Sequence, residues 1–194
     1  MFLIYNPNLI LGYKMEITNF NSSVVIVLSI ISLYLIPFFL INLKKNFIEI
    51  RILFSNTKNI FLFIILTLIF LYFCIDFRYE SNIGGGVFLK LSEILLKNNL
   101  ILYIFGFIGL FLLYFYKHEK ISYIALIFPL IFSFSSGFFI FQKYFEPLIF
   151  LIFILLFDHQ TIRNLLKQNF MLLNVYFILY WLFYYAYSLG ILIL

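Results

Sequence analysis

Charged residues are scarce in this sequence. Only 11% of its 194 residues are Asp, Glu, Lys or Arg, whereas 65% are hydrophobic. A soluble domain carries roughly 25% charged residues, so this composition excludes an ordinary soluble fold. Several apolar runs reach the length of about 18 residues that marks a membrane helix. The composition therefore predicts a multi-pass integral membrane protein, in a bacterial inner membrane or an organellar membrane.

Cysteine, histidine and catalytic motifs are also sparse. The single cysteine, Cys74, excludes an internal disulfide and a cysteine-based metal site. The sequence contains no HExxH, no GxxxxGK[ST] and no GxSxG. Neither of its two histidines, His118 and His159, has a partner at metal-ligand spacing. We therefore predict no metal and no cofactor.

Alanine and arginine are rare too, with Ala only at 125 and 186, whereas there are 29 Phe and 15 Tyr. Phe, Tyr, Ile, Asn and Lys have AT-rich codons, so an AT-rich genome explains the bias better than an aromatic ligand cage. The net charge of +5 suits a membrane with anionic lipid head groups. No basic patch extends beyond one loop, so we expect no nucleic-acid partner.

Six apolar segments can cross a bilayer as helices of about 20 residues. They predict an all-α, polytopic membrane helix bundle that forms one domain over residues 1–194. The spans lie at about 24–43, 59–75, 100–116, 121–141, 144–162 and 170–193. In the third span, Gly106 and Gly109 would permit close contact with another helix.

An interfacial amphipathic helix is predicted at about 87–98. Lys90, Glu93 and Lys97 fall on one side of it, with Glu93 and Lys97 ordered for an i,i+4 ion pair. The other side is apolar and comprises Val87, Phe88, Leu91, Ile94 and Leu95. Because this helix is too short and too charged to cross, we expect it to lie at the membrane surface.

The distribution of Lys and Arg predicts the orientation. If the first span runs inward, eight cations fall inside and five outside. Both termini, the loop at 76–99 and the turn FQKYFEPL then lie on the non-cytoplasmic side, and the basic segment 44–58 lies along the inner surface. The inside cations are Lys44, Lys45, Arg51, Lys58, Lys117, Lys120, Arg163 and Lys167, and the outside ones are Lys14, Arg78, Lys90, Lys97 and Lys143.

The turn FQKYFEPL, residues 141–148, supplies the first candidate site. The helices on either side of it are short, so the length of the chain places the turn near the outer head groups. A lysine at that depth can bind a lipid phosphate. Alternatively, Lys143 and Glu146 form a salt bridge with each other and snorkel at a helix end.

The loop after the second span supplies the other candidates. Gly84, Gly85 and Gly86 precede the amphipathic helix and form either an anion-binding turn or a flexible joint. The acidic residues Asp76 and Glu80 flank Arg78. These three either bind a metal or a sugar, or are ordinary charges at a helix end.

The stretch QKYFEPL resembles an outward motif of multi-spanning, polyprenyl-phosphate-sugar-dependent glycosyltransferases of the GT-C type. Those enzymes often carry a basic residue, Tyr, two further residues and Pro, which Lys143, Tyr144 and Pro147 match. The order of segments over 76–147 is also similar. The resemblance implies an outward contact with a polyprenyl-phosphate sugar, for which the candidate residues are Lys143, Tyr144, Arg78, Gly84, Gly85 and Gly86.

The sequence departs from that family in one respect that bears on activity. The family's catalytic acidic pair lies in a first large outward loop, which has no counterpart before the first span here. The outward acidic residues Asp76, Glu80 and Glu146 do not match that pair. The resemblance therefore implies a C-terminal portion or a reduced relative without the catalytic half. The alternative is a non-catalytic helical subunit of a larger membrane complex, with partner membrane subunits and an organellar gene.

Overall fold

The computed structural model describes residues 20–79, 85–116 and 159–188. All regular structure in these three stretches is α-helical, which confirms the all-α prediction for this part of the chain. The six helices are α1 (Phe20–Ile41), α2 (Leu43–Leu53), α3 (Thr57–Ile75), α4 (Gly86–Leu96), α5 (Leu100–Phe115) and α6 (His159–Ser188).

Two of the described helices, α1 and α3, are long and apolar enough to cross a membrane. They have 22 and 19 residues and correspond to the first two predicted spans. The third predicted span is α5, which has 16 residues and is therefore about 24 Å long, shorter than a hydrocarbon core of about 30 Å. The predicted spans at 121–141 and 144–162 fall almost wholly outside the described residues, so a six-span bundle stays a prediction.

Helix α6 consists of two helical segments that meet at a kink at Asn169 (φ −133°, ψ 25°). The kink coincides with the predicted start of the last span at 170, whereas residues 163–168, which were predicted to separate the last two spans, are helical. The segment RNLLKQN is rich in helix-favouring residues and contains no Gly or Pro, so its polarity alone does not end the helix. The apolar part of α6 runs from Asn169 to Phe183.

Helix α1 lies at the centre and packs against α3, α4, α5 and α6. Helix α3 runs antiparallel to it, since Phe20 at the start of α1 contacts Phe73 near the end of α3, with ring centroids 6.0 Å apart. Helix α5 runs parallel to α1: Gly106 approaches Val25, and Gly109 approaches Leu28. The termini of α1, α3 and α5 therefore lie together at the two ends of the bundle.

The contact between α1 and α5 confirms the expectation for the two glycines of α5. A Cβ atom on Gly109 would lie 2.0 Å from the carbonyl oxygen of Leu28. A Cβ on Gly106 would lie 3.1 Å from the Phe70 ring and 3.3 Å from the carbonyl oxygen of Val25. Small residues allow helix backbones to approach this closely, so the glycines set the spacing of α1, α3 and α5.

One end of the bundle, the α2 end, is fixed by hydrogen bonds among α2, α3 and α5. The buried hydroxyl of Tyr114 donates to the carbonyl oxygen of Asn59 at 2.7 Å. The side-chain amide of Asn59 in turn donates to the carbonyl oxygen of Leu53 at 3.0 Å. Asn56 caps α3 by accepting from the Lys58 amide. The chain therefore reverses between α1 and α3 through a fixed α2.

Candidate functional site

The opposite end, the Arg78 end, contains a polar cluster that ties the start of α1 to the residues after α3. The Ser22 hydroxyl donates to the Arg78 carbonyl oxygen at 2.8 Å and accepts from the Arg78 amide at 2.7 Å. The Asn21 side-chain amide donates to Asp76 Oδ2 at 3.2 Å. Ser22 is fully buried, and both of its bonds to Arg78 are partly buried. The backbone of Arg78 is thereby held in place.

The side chain of Arg78 is in a different situation from its backbone. It is 78% exposed, and its Nε lies 3.3 Å from Asp76 Oδ1, whose own side chain is 40% exposed. Exposed ion pairs contribute only about 0–1 kcal/mol, so Asp76 constrains the guanidinium weakly. No other described residue pairs with the terminal amino groups of Arg78. These amino groups extend from a fixed backbone and can donate hydrogen bonds to an anion.

The glycines that precede α4 form a joint next to this cluster. Gly85 and Gly86 have φ angles of 82° and 77°, a backbone conformation that residues other than Gly rarely adopt. A Cβ on Gly85 would lie 2.2 Å from Leu89 Cδ2 and 3.2 Å from the Tyr79 ring. Backbone conformation and close packing therefore account for two glycines of the GGG run. The same contact brings Tyr79, and with it the Asp76–Arg78 segment, against the start of α4.

Helix α4 does not have the faces that the sequence predicted. Lys90 was expected on the polar side, but it is buried, with 7% of its surface exposed. Its Nζ lies 3.1 Å from Glu93 Oε2, so the predicted Glu93–Lys97 ion pair is wrong. Lys97 ends the helix in a left-handed conformation (φ 51°), which removes the geometry of an i,i+4 pair.

The packing of α4 gives the physical reason. Helix α4 contacts both α5 and α1, and the Phe88 ring stacks on Phe105 with centroids 3.7 Å apart. Ser92 accepts from the Ile101 amide at 3.1 Å, which closes the α4–α5 hairpin. Because the first half of α4 lies between two helices, Val87, Phe88, Leu89 and Lys90 are all buried. At its other end Leu95 and Leu96 are exposed.

The structure brings together only some of the predicted site residues. Asp76 and Arg78 lie at one end of the bundle, where Tyr79 links them to the joint formed by Gly85 and Gly86. Sequence reasoning missed Asn21 and Ser22, whose polarity at the edge of the first apolar run was the available signal. The remaining candidates lie outside the described residues, namely Glu80, Gly84, Lys143, Tyr144 and Glu146.

The described carboxylates are all engaged with cations. Asp76 lies next to Arg78, Glu93 next to Lys90, and Glu49 lies 3.6 Å from Lys45. Over the described ranges, no group of three or more His, Cys, Asp or Glu residues could hold a metal ion. This part of the chain therefore offers an exposed guanidinium for binding an anion, and it offers no pair of free carboxylates for acid–base chemistry.

Comparisons with protein-family models, with curated proteins and with solved structures each found no match.

Proposed function

We propose that this chain is a multi-pass integral membrane protein, in which α1 and α3 cross the bilayer in opposite directions. The surface of α3 supports the proposal: among its 19 residues only Phe70 is buried. A helix of this composition exposes far more contiguous apolar surface than a water-soluble protein tolerates. Its large exposed side chains are Ile60, Phe61, Ile64, Ile65, Leu68, Ile69, Leu71, Tyr72 and Ile75.

The proposed activity is binding of a lipid phosphate at the Arg78 end. The single observation that carries it is an exposed guanidinium on a backbone held by two hydrogen bonds to the buried Ser22. Arg78 follows the last turn of α3 by three residues, at the depth where a membrane helix meets the head groups. A guanidinium recognises phosphate with two parallel hydrogen bonds, and here the protein fixes the point from which they are made.

The ligand class in this proposal is a polyprenyl phosphate or its sugar derivative. That choice rests on the resemblance of Lys143, Tyr144 and Pro147 to the motif of lipid-linked-sugar glycosyltransferases. The role is then presentation or binding of the lipid-linked substrate, with bond cleavage carried out elsewhere.

Photo-crosslinking tests this activity. The full chain is reconstituted in neutral lipid nanodiscs and labelled with a diazirine-bearing polyprenyl phosphate in competition with the unlabelled lipid. Charged hydrogen bonds contribute about 1.5–3 kcal/mol, so Arg78→Gln should weaken competition roughly ten-fold or more. Ser22 bonds only the backbone of Arg78, so this variant keeps the fold. Lys58→Gln, which removes an exposed cation at the α2 end, is the control, and equal weakening by both variants would exclude a site at Arg78.

A second candidate function is a non-catalytic helical subunit of a larger membrane complex. The apolar surface of α6 favours it, since Phe170, Met171 and Trp181 are 65%, 81% and 59% exposed. Partner helices could cover this surface as well as lipid does. The mass of the chain after extraction from its native membrane in a mild detergent separates the two candidates: a subunit migrates with stoichiometric partners, whereas a self-sufficient lipid-binding protein migrates alone and keeps its crosslinking.

A further inference from the structure

The second surface of interest is α2, which joins α1 to α3 at the end opposite Arg78. One side of it is fixed on the bundle. The Asn46 side-chain amide donates to the Phe39 carbonyl oxygen of α1 at 2.7 Å, and Leu53 packs with Tyr114 and Phe115 of α5. Asn46 and Leu53 are the buried residues of α2. The rotation of α2 about its own axis is therefore set, and so is the side that it presents outward.

The outward side of α2 combines large apolar residues with cations. Phe47, Ile48 and Ile52 are 58%, 63% and 65% exposed. At 100° per residue, the cations Lys44 and Arg51 fall between Phe47 and Ile48 on the same side of the helix. Apolar and cationic side chains therefore alternate around one face, rather than dividing into an apolar and a charged half.

The charges on this face are only partly balanced. Lys45 is paired with Glu49, Nζ to Oε1 3.6 Å, and Glu49 is the one acidic residue of the helix sequence LKKNFIEIRIL. No carboxylate among the described residues lies within ion-pair distance of Lys44 or Arg51. Two cations thus stand beside exposed apolar groups without a described counter-charge.

An interleaved apolar and cationic face fits the boundary between acyl chains and phosphate groups. There Phe and Ile side chains enter the acyl region, while Lys and Arg stems extend along them and bring their charges to the head groups. The position of α2 agrees, because it connects the ends of the two helices long enough to cross a membrane. A protein partner would more commonly meet an apolar centre with a polar rim, which α2 does not show.

We infer that α2 is an interfacial helix that binds anionic phospholipid of the same bilayer through Lys44 and Arg51, with Phe47, Ile48 and Ile52 inserted below them. The inference rests on the proposed function in one respect, that α1 and α3 cross the membrane. It is independent of any ligand at Arg78. The head group recognised is an anionic phosphodiester, for which phosphatidylglycerol is the probe.

A single-tryptophan variant tests the inference in the full chain. Trp181→Phe removes the native indole, the only one in the sequence, and Phe47→Trp introduces one on the exposed face of α2. The protein is reconstituted in vesicles of phosphatidylcholine and phosphatidylglycerol, in which one or the other lipid carries bromine on its acyl chains. Quenching of the introduced indole by each brominated lipid then reports which lipid surrounds α2.

Brominated phosphatidylglycerol should quench more strongly than brominated phosphatidylcholine. An unpaired cation near the surface contributes about 1 kcal/mol of attraction to anionic lipid, so a preference of roughly five-fold per cation is expected. Adding Lys44→Gln and Arg51→Gln should bring the preference close to one. The control Lys97→Gln, which removes an exposed cation at the other end of the bundle, should leave it unchanged. Raised salt should weaken it by screening.

Three results would overturn the inference, and they separate it from the proposed function. Equal quenching by the two lipids means that α2 lies in the interface without choosing anionic lipid. Absence of quenching in a chain that resists alkaline extraction means that protein, such as a second copy, covers α2 while the spans remain valid. Absence of quenching in a chain that alkali does extract means that the proposed membrane spans fail as well.

Discussion

The Cα of Gly109 in α5 faces the backbone carbonyl of Leu28 in α1, so closely that an added Cβ would lie 2.0 Å from the carbonyl oxygen. The obstructing atom belongs to the backbone, which cannot move aside as a side chain can. The spacing of α1 and α5 therefore depends on the absence of a single methyl group. Gly106, one turn earlier, meets the movable Phe70 ring at 3.1 Å.

Substitution of the two glycines by alanine should have graded effects. Gly109→Ala forces α1 and α5 apart and should lower the free energy of unfolding by about 1–3 kcal/mol, the usual cost of overpacking. Gly106→Ala should cost less, because the Phe70 ring can rotate and the nearest backbone atom, the Val25 carbonyl oxygen, would lie 3.3 Å from the added Cβ instead of 2.0 Å as at Gly109. Thermal unfolding of the two variants in the same detergent measures the order. If Gly109→Ala is as stable as the parent, the close contact of α1 with α5 is wrong.

The Ser22 hydroxyl should contribute more to stability than other buried serines of α1. Ser22→Ala leaves both the amide and the carbonyl of Arg78 without their partner, at a cost of about 1–3 kcal/mol. Ser29 is the matched control: it is equally buried, but its hydroxyl bonds the Ile26 carbonyl of its own helix at 2.7 Å. Ser29→Ala should therefore change the unfolding midpoint little. A similar loss in both variants would mean that the Ser22–Arg78 bonds do not hold the Arg78 end.

The bounds of the apolar helices could be read from the sequence, but which helices contact one another could not. The predicted span 59–75 differs from α3 by two residues at its start, because a long apolar run between polar residues is a local signal. The predicted start of the first span at 24 excluded Asn21 and Ser22 for their polarity. Their partners lie about 55 residues away along the chain, so no local pattern could show that polar side chains there are satisfied.

Helix α4 illustrates a second limit of sequence reasoning. Assigning its faces by 100° periodicity assumes that one side meets protein and the other meets water or lipid. Helix α4 instead packs against α1 and α5 together, so its first turn is buried all round and includes Lys90. Two neighbouring helices override the amphipathic pattern, and only the three-dimensional packing reveals this.

Opposite ends of the bundle should face opposite sides of the membrane. Lys44 on α2 and Lys97 after α4 are both exposed, and α1 separates them along the bundle. In a Cys74→Ala background, Lys44→Cys and Lys97→Cys should react with a membrane-impermeant maleimide from different compartments. The excess of inner cations predicts that Lys97→Cys reacts in intact cells, and that Lys44→Cys reacts only after lysis. Labelling of both from the same side would exclude antiparallel crossing by α1 and α3.

The α2 end should depend on the Tyr114 hydroxyl. Tyr114 is fully buried, and its hydroxyl donates to the Asn59 carbonyl oxygen at 2.7 Å. Tyr114→Phe keeps the ring packing against Phe63, 5.1 Å between centroids, and removes this hydrogen bond.

The expected loss is about 0.5–1.5 kcal/mol in the free energy of unfolding. Tyr72→Phe, at a tyrosine of α3 that is 63% exposed, serves as the control and should have almost no effect. Because Asn59 also holds the carbonyl of Leu53 at the end of α2, Tyr114→Phe should increase amide hydrogen exchange at residues 53–59 more than at 76–79. An equal change in amide exchange at residues 53–59 and at 76–79 would show that the hydroxyl does not stabilise the turn between α2 and α3.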